Sequence, residues 1–380
     1  MDNLWGIGIF LTALFLIEIS NYIALRRIES FSKPDSGPLF SVLIPARDEE
    51  LNIKKCVDSV LAQDYVNFEV IVMDDSEDAT PQIVAEIASG DDRLRLIRSE
   101  ILPPGWTGKN WACHQLSQAA IGEVFLFMDA DTYMKPGALK ATAGASRDNQ
   151  TGLLSALPAE ETWTWGEKLI VPIIHWAIFC IMPLMLAFKK RMPAISVSHG
   201  QYMCFTKEAY NSIGGHAAVR NRIVEDKEIT RLIVKAGIKW RLFDGTNILG
   251  CRMYRSSKEA SEGLIKNLFP FFGNNIPYFI FVWIWLIIVF WQPLVTLIMM
   301  GAGVTIAPKY LIPSFYNLGL SLVIWGIFYK RFKFRFYLTF LYPITQIVIS
   351  TVAMLSMVRH LKGTATWKGR VLPRKNRAKV

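Results

Sequence analysis

The fold is decided by the stretch Val124-Phe125-Leu126-Phe127-Met128-Asp129-Ala130-Asp131, an apolar run that ends in two carboxylates. Such a run, bounded by acidic residues, is typical of a buried strand in a parallel sheet. Asp129 and Asp131 can both reach one cation, and carboxylate oxygens suit Mg²⁺ or Mn²⁺, with phosphate oxygens completing the shell. The stretch therefore predicts a metal site at the end of a central strand.

Two further strands are predicted upstream. Residues 40–44 and 68–73 are short β-rich apolar runs, and the residues between them have a helical pattern, which together predict a βαβ unit. The pattern continues as a helix over 80–88, a strand over 94–97 and a helix over 110–120. Polar clusters follow the first two strands, at residues 45–50 and 74–76. The predicted fold class is α/β, with all three polar clusters at one edge of the sheet, where ligands bind.

Several classes of protein are excluded by composition and motif. With 52% hydrophobic and 19% charged residues the chain is neither disordered nor a small disulfide scaffold, and its five cysteines form no C-x-x-C pair. The segment 105–110 lacks both the G-x-G-x-x-G spacing and the Ser/Thr of a phosphate-binding loop. A dinucleotide oxidoreductase and a P-loop NTPase are therefore unsupported.

The net charge of +10 is concentrated in two short segments. Residues 359–380 contain eight Lys/Arg and no acid, and residues 330–335 contain four more, so the rest of the chain is close to −2. Because these cations adjoin apolar segments, they predict attraction to an anionic membrane surface and no nucleic-acid partner.

Apolar segments lie at both ends of the chain. Residues 4–25 contain one acid and are followed by Arg26 and Arg27, which predicts an uncleaved anchor with the following chain cytoplasmic. The segments 276–307, 311–329 and 336–358 carry no charge. Three simple crossings would place the basic tail opposite the loop 330–335, so we expect one segment to be re-entrant or a hairpin, without deciding which. The predicted protein is multi-pass in the cell membrane.

The predicted domains follow from these segments: an anchor over 1–32, a cytoplasmic catalytic domain over 33–275, a bundle over 276–358 and a basic tail over 359–380. A further uncharged run, 169–188, falls inside the catalytic domain and contains Pro172 and Pro183. A single crossing there would place Asp129 and Glu225 on opposite sides of the bilayer, so we expect an interfacial or re-entrant element that guides a lipid acceptor. A buried core helix is the alternative.

A second acidic site follows a turn-rich segment. Gly214-Gly215-His216 precedes Glu225-Asp226, which begins a helical pattern reaching residue 236. Acids in a first helical turn complement the helix dipole, but a carboxylate over a cleft can also act as a general base.

These residues resemble the inverting family 2 glycosyltransferases with a GT-A fold. The resemblance covers about residues 38–260, and its motifs are listed here: Ile44 to Glu50, Asp74-Asp75, Gly108-Lys109, Asp129-Ala130-Asp131-Thr132, Gly214-Gly215-His216 and Glu225-Asp226. The segments 106–113, 252–254, 262–267 and 367–370 are similar to a membrane-bound branch that contains diaponeurosporenoate and hopanoid-associated glycosyltransferases. That branch resembles ceramide glucosyltransferases in using lipid acceptors.

The resemblance implies roles for individual residues. Pro45, Ala46, Arg47 and Glu49 would line the nucleotide pocket and Asp74 would contact the base. Lys109 would lie near the donor phosphates or sugar, and Arg252 or Arg255 would neutralise the departing diphosphate. Asp131 with Asp129 would hold the metal on the donor, a nucleotide diphospho-sugar and most simply a UDP-sugar. Asp226 would be the base, although some relatives keep only the first acid, which leaves Glu225 as the alternative.

The expected activity is transfer of one hexose to a membrane lipid such as a carotenoid acid, a hopanoid or a ceramide. Arg252-Met253-Tyr254-Arg255-Ser256 lacks the Trp of the Q-x-x-R-W motif that accompanies many processive polysaccharide synthases. A processive synthase is therefore the nearest alternative, and a non-catalytic membrane scaffold or sugar-nucleotide-binding module is the alternative from another class. Asp48 also stands where this family usually has Asn.

Overall fold

A computed structural model describes residues 4–368 and 370–371. Its helices are α1 (Leu4–Ala24), α2 (Ile53–Leu61), α3 (Thr80–Ala88), α4 (Gly108–Ala119), α5 (Ala138–Asn149), α6 (Trp165–Ile170), α7 (Ile173–Trp176), α8 (Leu184–Lys190), α9 (Lys207–Ser212), α10 (Glu225–Lys235), α11 (Ser257–Phe271), α12 (Ile276–Gly301), α13 (Pro308–Arg331) and α14 (Tyr342–Lys362). Its strands are β1 (Phe40–Ala46), β2 (Phe68–Asp74), β3 (Leu94–Arg98), β4 (Val124–Met128), β5 (Thr132–Met134), β6 (Leu153–Leu157), β7 (Ala159–Glu160), β8 (Tyr202–Thr206), β9 (Trp240–Asp244), β10 (Leu249–Cys251), β11 (Thr366–Trp367) and β12 (Arg370–Val371).

The chain folds into two compact units that are each discontinuous in sequence. The sheet unit comprises Leu25–Glu161 and Leu184–Met253, and the helical unit comprises Met1–Ala24, Thr162–Pro183 and Tyr254–Val380. Part of the predicted basic tail, residues 372–380, and Gly369 lie outside the described residues.

The sheet unit is built on seven strands in the order β3-β2-β1-β4-β8-β6-β9. Strands β1, β2, β3 and β4 pair in parallel, as do β6 and β9, whereas β8 is antiparallel to both of its neighbours. The predicted α/β fold class is confirmed. The sheet places the carboxyl ends of β1, β2 and β4 at one edge, as the strand-end motifs required.

The local pattern explains why these strands are central. Every residue of β2 and β4 is buried, as expected for strands covered on both faces. Between β1 and β2, α2 buries Ile53, Val57 and Val60 on one face, so it packs on the sheet core.

Strand β8 brings a distant segment to the end of β4. Because the pair is antiparallel, Tyr202 at the start of β8 lies opposite Met128 at the end of β4. The Asp129 N–H continues the ladder by donating to the Gln201 carbonyl at 3.2 Å. Gly200 and Gln201 therefore lie beside Asp129.

A second sheet adjoins this strand end. Its three strands have the order β5-β10-β7, with Cys251 of β10 opposite Thr132 of β5 on one side and Glu160 of β7 on the other. Because β5 begins one residue after Asp131, this sheet fixes the chain that leaves the acidic cluster.

Among the residues that the structure describes, the helical unit contains four helical segments that are long and apolar enough to cross a membrane: Leu4–Ala24, Ile276–Gly301, Pro308–Arg331 and Phe336–Lys362. Antiparallel packing of α12 and α13 is indicated by their six-residue connection and by the contact of Phe290 with Trp325, whose ring centroids are 6.0 Å apart. Polar groups also join the helices, since the Asn317 amide of α13 donates to the Leu4 carbonyl of α1 at 2.8 Å.

The apolar run 169–188 is not one helix. α6 and α7 are followed by a π-helical turn over Ala177–Ile181, and the extended backbone of Met182 ends that turn ahead of Pro183. The Asn21 amide of α1 donates to the carbonyls of Phe179 at 2.8 Å and Met182 at 2.6 Å. A side chain from α1 thus satisfies backbone groups that the break leaves without helical partners.

Candidate active site

The two acids of the strand-end motif are held by two segments that are distant from them in the sequence. Asp129 donates its N–H to Gln201, and Asp131 accepts through its carbonyl from the Arg252 N–H at 3.0 Å. The Cys251 thiol lies 3.4 Å from Asp131 Oδ1, in hydrogen-bonding geometry. The backbone of both acids, and the carboxylate of Asp131, are therefore positioned by residues far away in the sequence.

Lys109 joins Asp129, one of the two acids of the predicted metal site, to the second acidic site. Its Nζ lies 2.7 Å from Asp129 Oδ1 and 3.0 Å from Glu225 Oε1. Burial alone would lower the pKa of Lys109, but the carboxylates of Asp129 and Glu225 outweigh it and raise that pKa well above its usual range. Lys109 is therefore a cation that bridges two of the acids the sequence singled out.

Asn110 explains why Lys109 meets Glu225. Thr107 caps α4 by accepting the Asn110 N–H at 3.4 Å, and the Asn110 side-chain amide donates to the carbonyls of Val219 at 2.8 Å and Arg222 at 3.1 Å. These bonds tie the first turn of α4 to the segment that leads into α10.

Asp226 is oriented by two backbone donors. Gly200 N–H donates to Oδ2 at 3.1 Å and Lys227 N–H donates to Oδ1 at 2.7 Å. Burial and the neighbouring charge of Glu225 raise the pKa of Asp226 to about 7, despite these hydrogen bonds. A carboxylate with that pKa can take up a proton near neutral pH.

The predicted nucleotide residues form a network at the ends of β1 and β2. Arg47 Nη1 lies 2.9 Å from Asp75 Oδ2. Asp74 is fully buried, accepts the Ser76 N–H at 3.2 Å on Oδ1 and pairs through Oδ2 with the guanidinium of Arg98. The Asp74 carboxylate is thus occupied by protein donors, and Arg98 is the more exposed member of the pair.

The remaining pocket residues lie at the carboxyl end of β1. Pro45 and Ala46 are its last two residues, and the Glu49 side chain accepts from the Asn52 amide at 2.8 Å. Asp48 between them has a φ of 51°, in the left-handed region that Asn and Asp tolerate better than other residues with a Cβ. This backbone accounts for Asp at a position where the family usually has Asn.

Arg252 and Arg255, the two arginines predicted to neutralise the departing diphosphate, belong to different units. Arg252 is buried in the sheet unit, with its N–H on Asp131 and its Nη1 donating to the Glu161 carbonyl at 2.8 Å. Arg255 belongs to the helical unit, where its N–H donates to Glu259 Oε2 at 2.8 Å. Within the sheet unit, Arg252 is therefore the arginine beside the acidic site.

His216 is a structural residue of the turn before α10. Its N–H donates to the Tyr210 hydroxyl at 3.0 Å, and burial lowers the pKa of its ring to about 3, so the ring is neutral. Gly215 has a φ of 51°, and a Cβ there would overlap the Tyr210 ring. The glycine pair thus permits the close turn that leads to Glu225.

Sequence analysis did not single out two residues of this site. Arg98 is the last residue of β3, so applying the strand-end rule to that strand would have found it. Cys251 reaches Asp131 only through the pairing of β10 with β5, and it also accepts from the Gln201 amide at 2.8 Å. Nothing local in the sequence indicates that pairing.

Comparison with known proteins indicates the family and the fold of this chain. The family model described as Glycosyl transferase family 2 matches residues 41–214. A 4,4'-diaponeurosporenoate glycosyltransferase from Staphylococcus haemolyticus is 27% identical over 263 residues, which cover 66% of this chain and 68% of the relative. A beta-monoglucosyldiacylglycerol synthase from Trichormus variabilis is 29% identical over 164 residues, which cover 40% of this chain and 35% of that protein.

Among solved structures, a mannosyltransferase from Pyrobaculum calidifontis in complex with GDP-Man and Mn²⁺ matches with a TM-score of 0.55. It is 18% identical, and the match covers 97% of this chain and 100% of the other, so the likeness concerns the fold. Taken with the sheet order, these comparisons show that the chain carries a family 2 glycosyltransferase domain over residues 41–214 and has a GT-A-type catalytic fold.

Proposed function

We propose that this enzyme transfers a single hexose from a nucleotide diphospho-sugar to a membrane lipid with inversion at the anomeric carbon. The observation that carries the proposal is the bridge from Asp129 through Lys109 to Glu225, with Asp226 next in the chain. It supports one site in which a metal-binding acid and a candidate base lie close together. The named functions of the relatives and the apolar helices support a lipid acceptor.

The carboxylates at the end of β4 fit a divalent cation. Asp129 and Asp131 offer hard oxygen donors, and the Lys109 ammonium against Asp129 shows that the position already attracts positive charge. These acids would hold Mg²⁺ or Mn²⁺, whose charge offsets that of the departing diphosphate. A nucleotide-sugar donor and Mn²⁺ are present in the structure of the fold neighbour, which supports the same pair of ligands for this chain.

Asp226 is proposed as the base in preference to Glu225. The Glu225 carboxylate is ion-paired with Lys109, whereas two N–H groups orient the Asp226 carboxylate and its pKa of about 7 suits proton uptake. Asp226 would take the proton of an acceptor hydroxyl as its oxygen attacks the anomeric carbon. Lys109, Arg47 and Arg252 would then stabilise the donor phosphates, and Arg98 with Asp74 would contribute to the nucleotide pocket.

The acceptor route is proposed to involve the broken segment 169–188. Its breaks and the backbone carbonyls capped by Asn21 suit a segment that enters the bilayer without crossing it. A membrane-embedded photoprobe should label residues of this segment in the folded enzyme. Absence of labelling there, with labelling of α12 retained as a control, would show that the segment is buried within the protein and does not enter the bilayer.

Lipid analysis tests the proposed activity. Lipids would be extracted from cells that express the wild-type enzyme, from cells with Asp226→Asn and from cells with neither, and compared by mass spectrometry. We expect a lipid heavier by one hexose only with the wild type. A ladder of added hexoses would indicate a processive synthase, and no new lipid under any growth condition would contradict lipid glycosylation.

A further inference from the structure

Lys109 contacts the carboxylate of Asp129 through both carboxylate oxygens. Its Nζ lies 2.7 Å from Asp129 Oδ1 and 3.0 Å from Oδ2, so the ammonium lies where a cation would bind both oxygens. The same nitrogen lies 3.0 Å from Glu225 Oε1. One lysine therefore shares its single charge between two carboxylates of the sheet unit, and one of them belongs to the proposed metal site.

A divalent cation on Asp129 would lie very close to this ammonium. Mg²⁺ binds carboxylate oxygens at about 2.1 Å, so an ion on either oxygen of Asp129 would be at most about 5 Å from Lys109 Nζ while the ion pair persists. The side chains of Lys109 and Asp129 are 33% and 26% exposed, so water screens the repulsion between the two cations only in part. Lys109 and a divalent cation therefore compete for Asp129.

The side chain of Lys109 can leave Asp129 while the helix that carries it stays in place. Hydrogen bonds from the Asn110 amide to the segment before α10 hold the first turn of α4, whereas the four-carbon stem of a lysine is flexible and its ammonium has three N–H donors. The Glu225 carboxylate would keep the ammonium at the site after a metal ion has taken Asp129. Phosphate oxygens accept strongly from an ammonium, so a donor diphosphate would replace Asp129 as its partner.

We propose that Lys109 couples metal binding to donor binding by exchanging Asp129 for the donor diphosphate. Before the diphosphate binds, Lys109 opposes the metal ion at Asp129. Once the diphosphate is bound, the ammonium pairs with phosphate oxygens and the Asp129 carboxylate is released to the metal ion. Each ligand therefore strengthens the binding of the other by the same factor, as thermodynamic linkage requires. The inference rests on the proposed metal site and adds that the metal ion alone binds weakly.

The test measures Mn²⁺ binding to the full-length protein in detergent, with and without UDP, from the electron paramagnetic resonance signal of free Mn²⁺. Samples of UDP without protein correct for Mn²⁺ bound by the nucleotide alone. In the wild type, UDP should tighten Mn²⁺ binding by roughly tenfold, a usual size for coupling between sites. Lys109→Met should tighten Mn²⁺ binding by a similar factor without UDP, but should not tighten it with UDP. The matched control is Lys140→Met, which should leave both affinities unchanged, because Lys140 also bridges two acids, Asp35 at 2.7 Å and Asp64 at 2.9 Å, outside the acidic site.

The dependence on UDP separates this exchange from a static ion pair. A lysine that stays on Asp129 lowers Mn²⁺ affinity whether or not UDP is bound, so an equal gain in Lys109→Met under both conditions would overturn the exchange. Equal Mn²⁺ affinity of the wild type with and without UDP would also overturn it. If Lys109→Met melts below the temperature of the assay, Lys109→Gln keeps N–H donors for the two carboxylates without the charge and should show the same dependence on UDP. A wild-type protein that binds no Mn²⁺ even with UDP would instead refute the proposed metal-dependent function.

Discussion

At the scale of single residues, the adjacent acids Glu225 and Asp226 have different partners. Glu225 forms an ion pair with Lys109, while Asp226 is held by backbone N–H groups and has a pKa raised to about 7. Two carboxylates next to each other in the chain therefore differ in their environment, and we propose that only Asp226 acts as the base. The pH dependence of the activity should therefore report the pKa of Asp226 and the effect of the Glu225 charge on it.

The first prediction concerns the acid limb of the pH–rate profile. Below pH 7 Asp226 is protonated and cannot accept a proton, so kcat/KM should rise with pH through about 7. Because the charge of Glu225 raises the pKa of Asp226, Glu225→Gln should shift this limb to lower pH. Glu228→Gln, which removes an acid of the same helical turn that pairs with Arg231, is the control and should leave the limb in place. A limb that shifts upward in Glu225→Gln would contradict the assignment.

The second prediction concerns the base itself. Asp226→Asn should lower transfer to an alcohol acceptor by roughly 10²–10⁴-fold, since general-base catalysis contributes on that order. Binding of UDP measured by titration should change little, because the donor site lies at other side chains. Transfer to a carboxylic acid acceptor, already ionised near neutral pH, should fall much less. Unchanged transfer to an alcohol in Asp226→Asn would remove Asp226 from the mechanism.

At the scale of elements, interruptions of regular structure are stabilised by side chains from other elements. The π-helical turn after α7 ends with carbonyls that accept from Asn21 of α1. The antiparallel strand β8 places Gly200 where its N–H can orient Asp226. Local irregularity and long-range hydrogen bonding thus occur together in both units.

The third prediction tests the Asn21 bonds. Asn21→Ala leaves the carbonyls of Phe179 and Met182 without this donor and should lower the free energy of unfolding of the helical unit by about 1–2 kcal/mol. The readout is the melting temperature in detergent. Asn67→Ala removes an exposed amide that donates to the Gly37 carbonyl and should change the melting temperature far less. Equal shifts in melting temperature would show that the Asn21 bonds stabilise the protein no more than the exposed Asn67 bond does.

At the scale of the whole molecule, the helical unit suggests how the basic segments can share one side of the membrane. Near the start of α14, the Pro343 carbonyl accepts from Trp291 in the second half of α12, and near its end Ser356 bonds with Phe269 and Ile265 of α11. α14 therefore runs antiparallel to α12 and in the same direction as α13. The chain therefore turns back between α13 and α14, within residues 332–341. We propose that this turn is the re-entrant connection expected from the charge pattern.

The fourth prediction tests this topology with introduced cysteines. All five native cysteines are buried, so background labelling should be low. Val66→Cys in the sheet unit and Lys362→Cys at the end of α14 should react with an impermeant maleimide only in inverted vesicles. Val304→Cys, between α12 and α13, should react from outside intact cells. Labelling of Lys362→Cys from outside would show that α14 crosses the membrane.

The sequence by itself determined the α/β class, the strands β1, β2 and β4, and the acids at their ends. These features follow from hydrophobic runs and periodicities that span only a few residues, so they can be recognised locally. The tertiary structure decided which distant groups meet: Lys109 between Asp129 and Glu225, Arg98 on Asp74, and the Gly200 N–H on Asp226. Those contacts depend on strand order and register, which arise from packing among segments far apart in the chain. A local sequence pattern does not indicate which distant segment it will pack against.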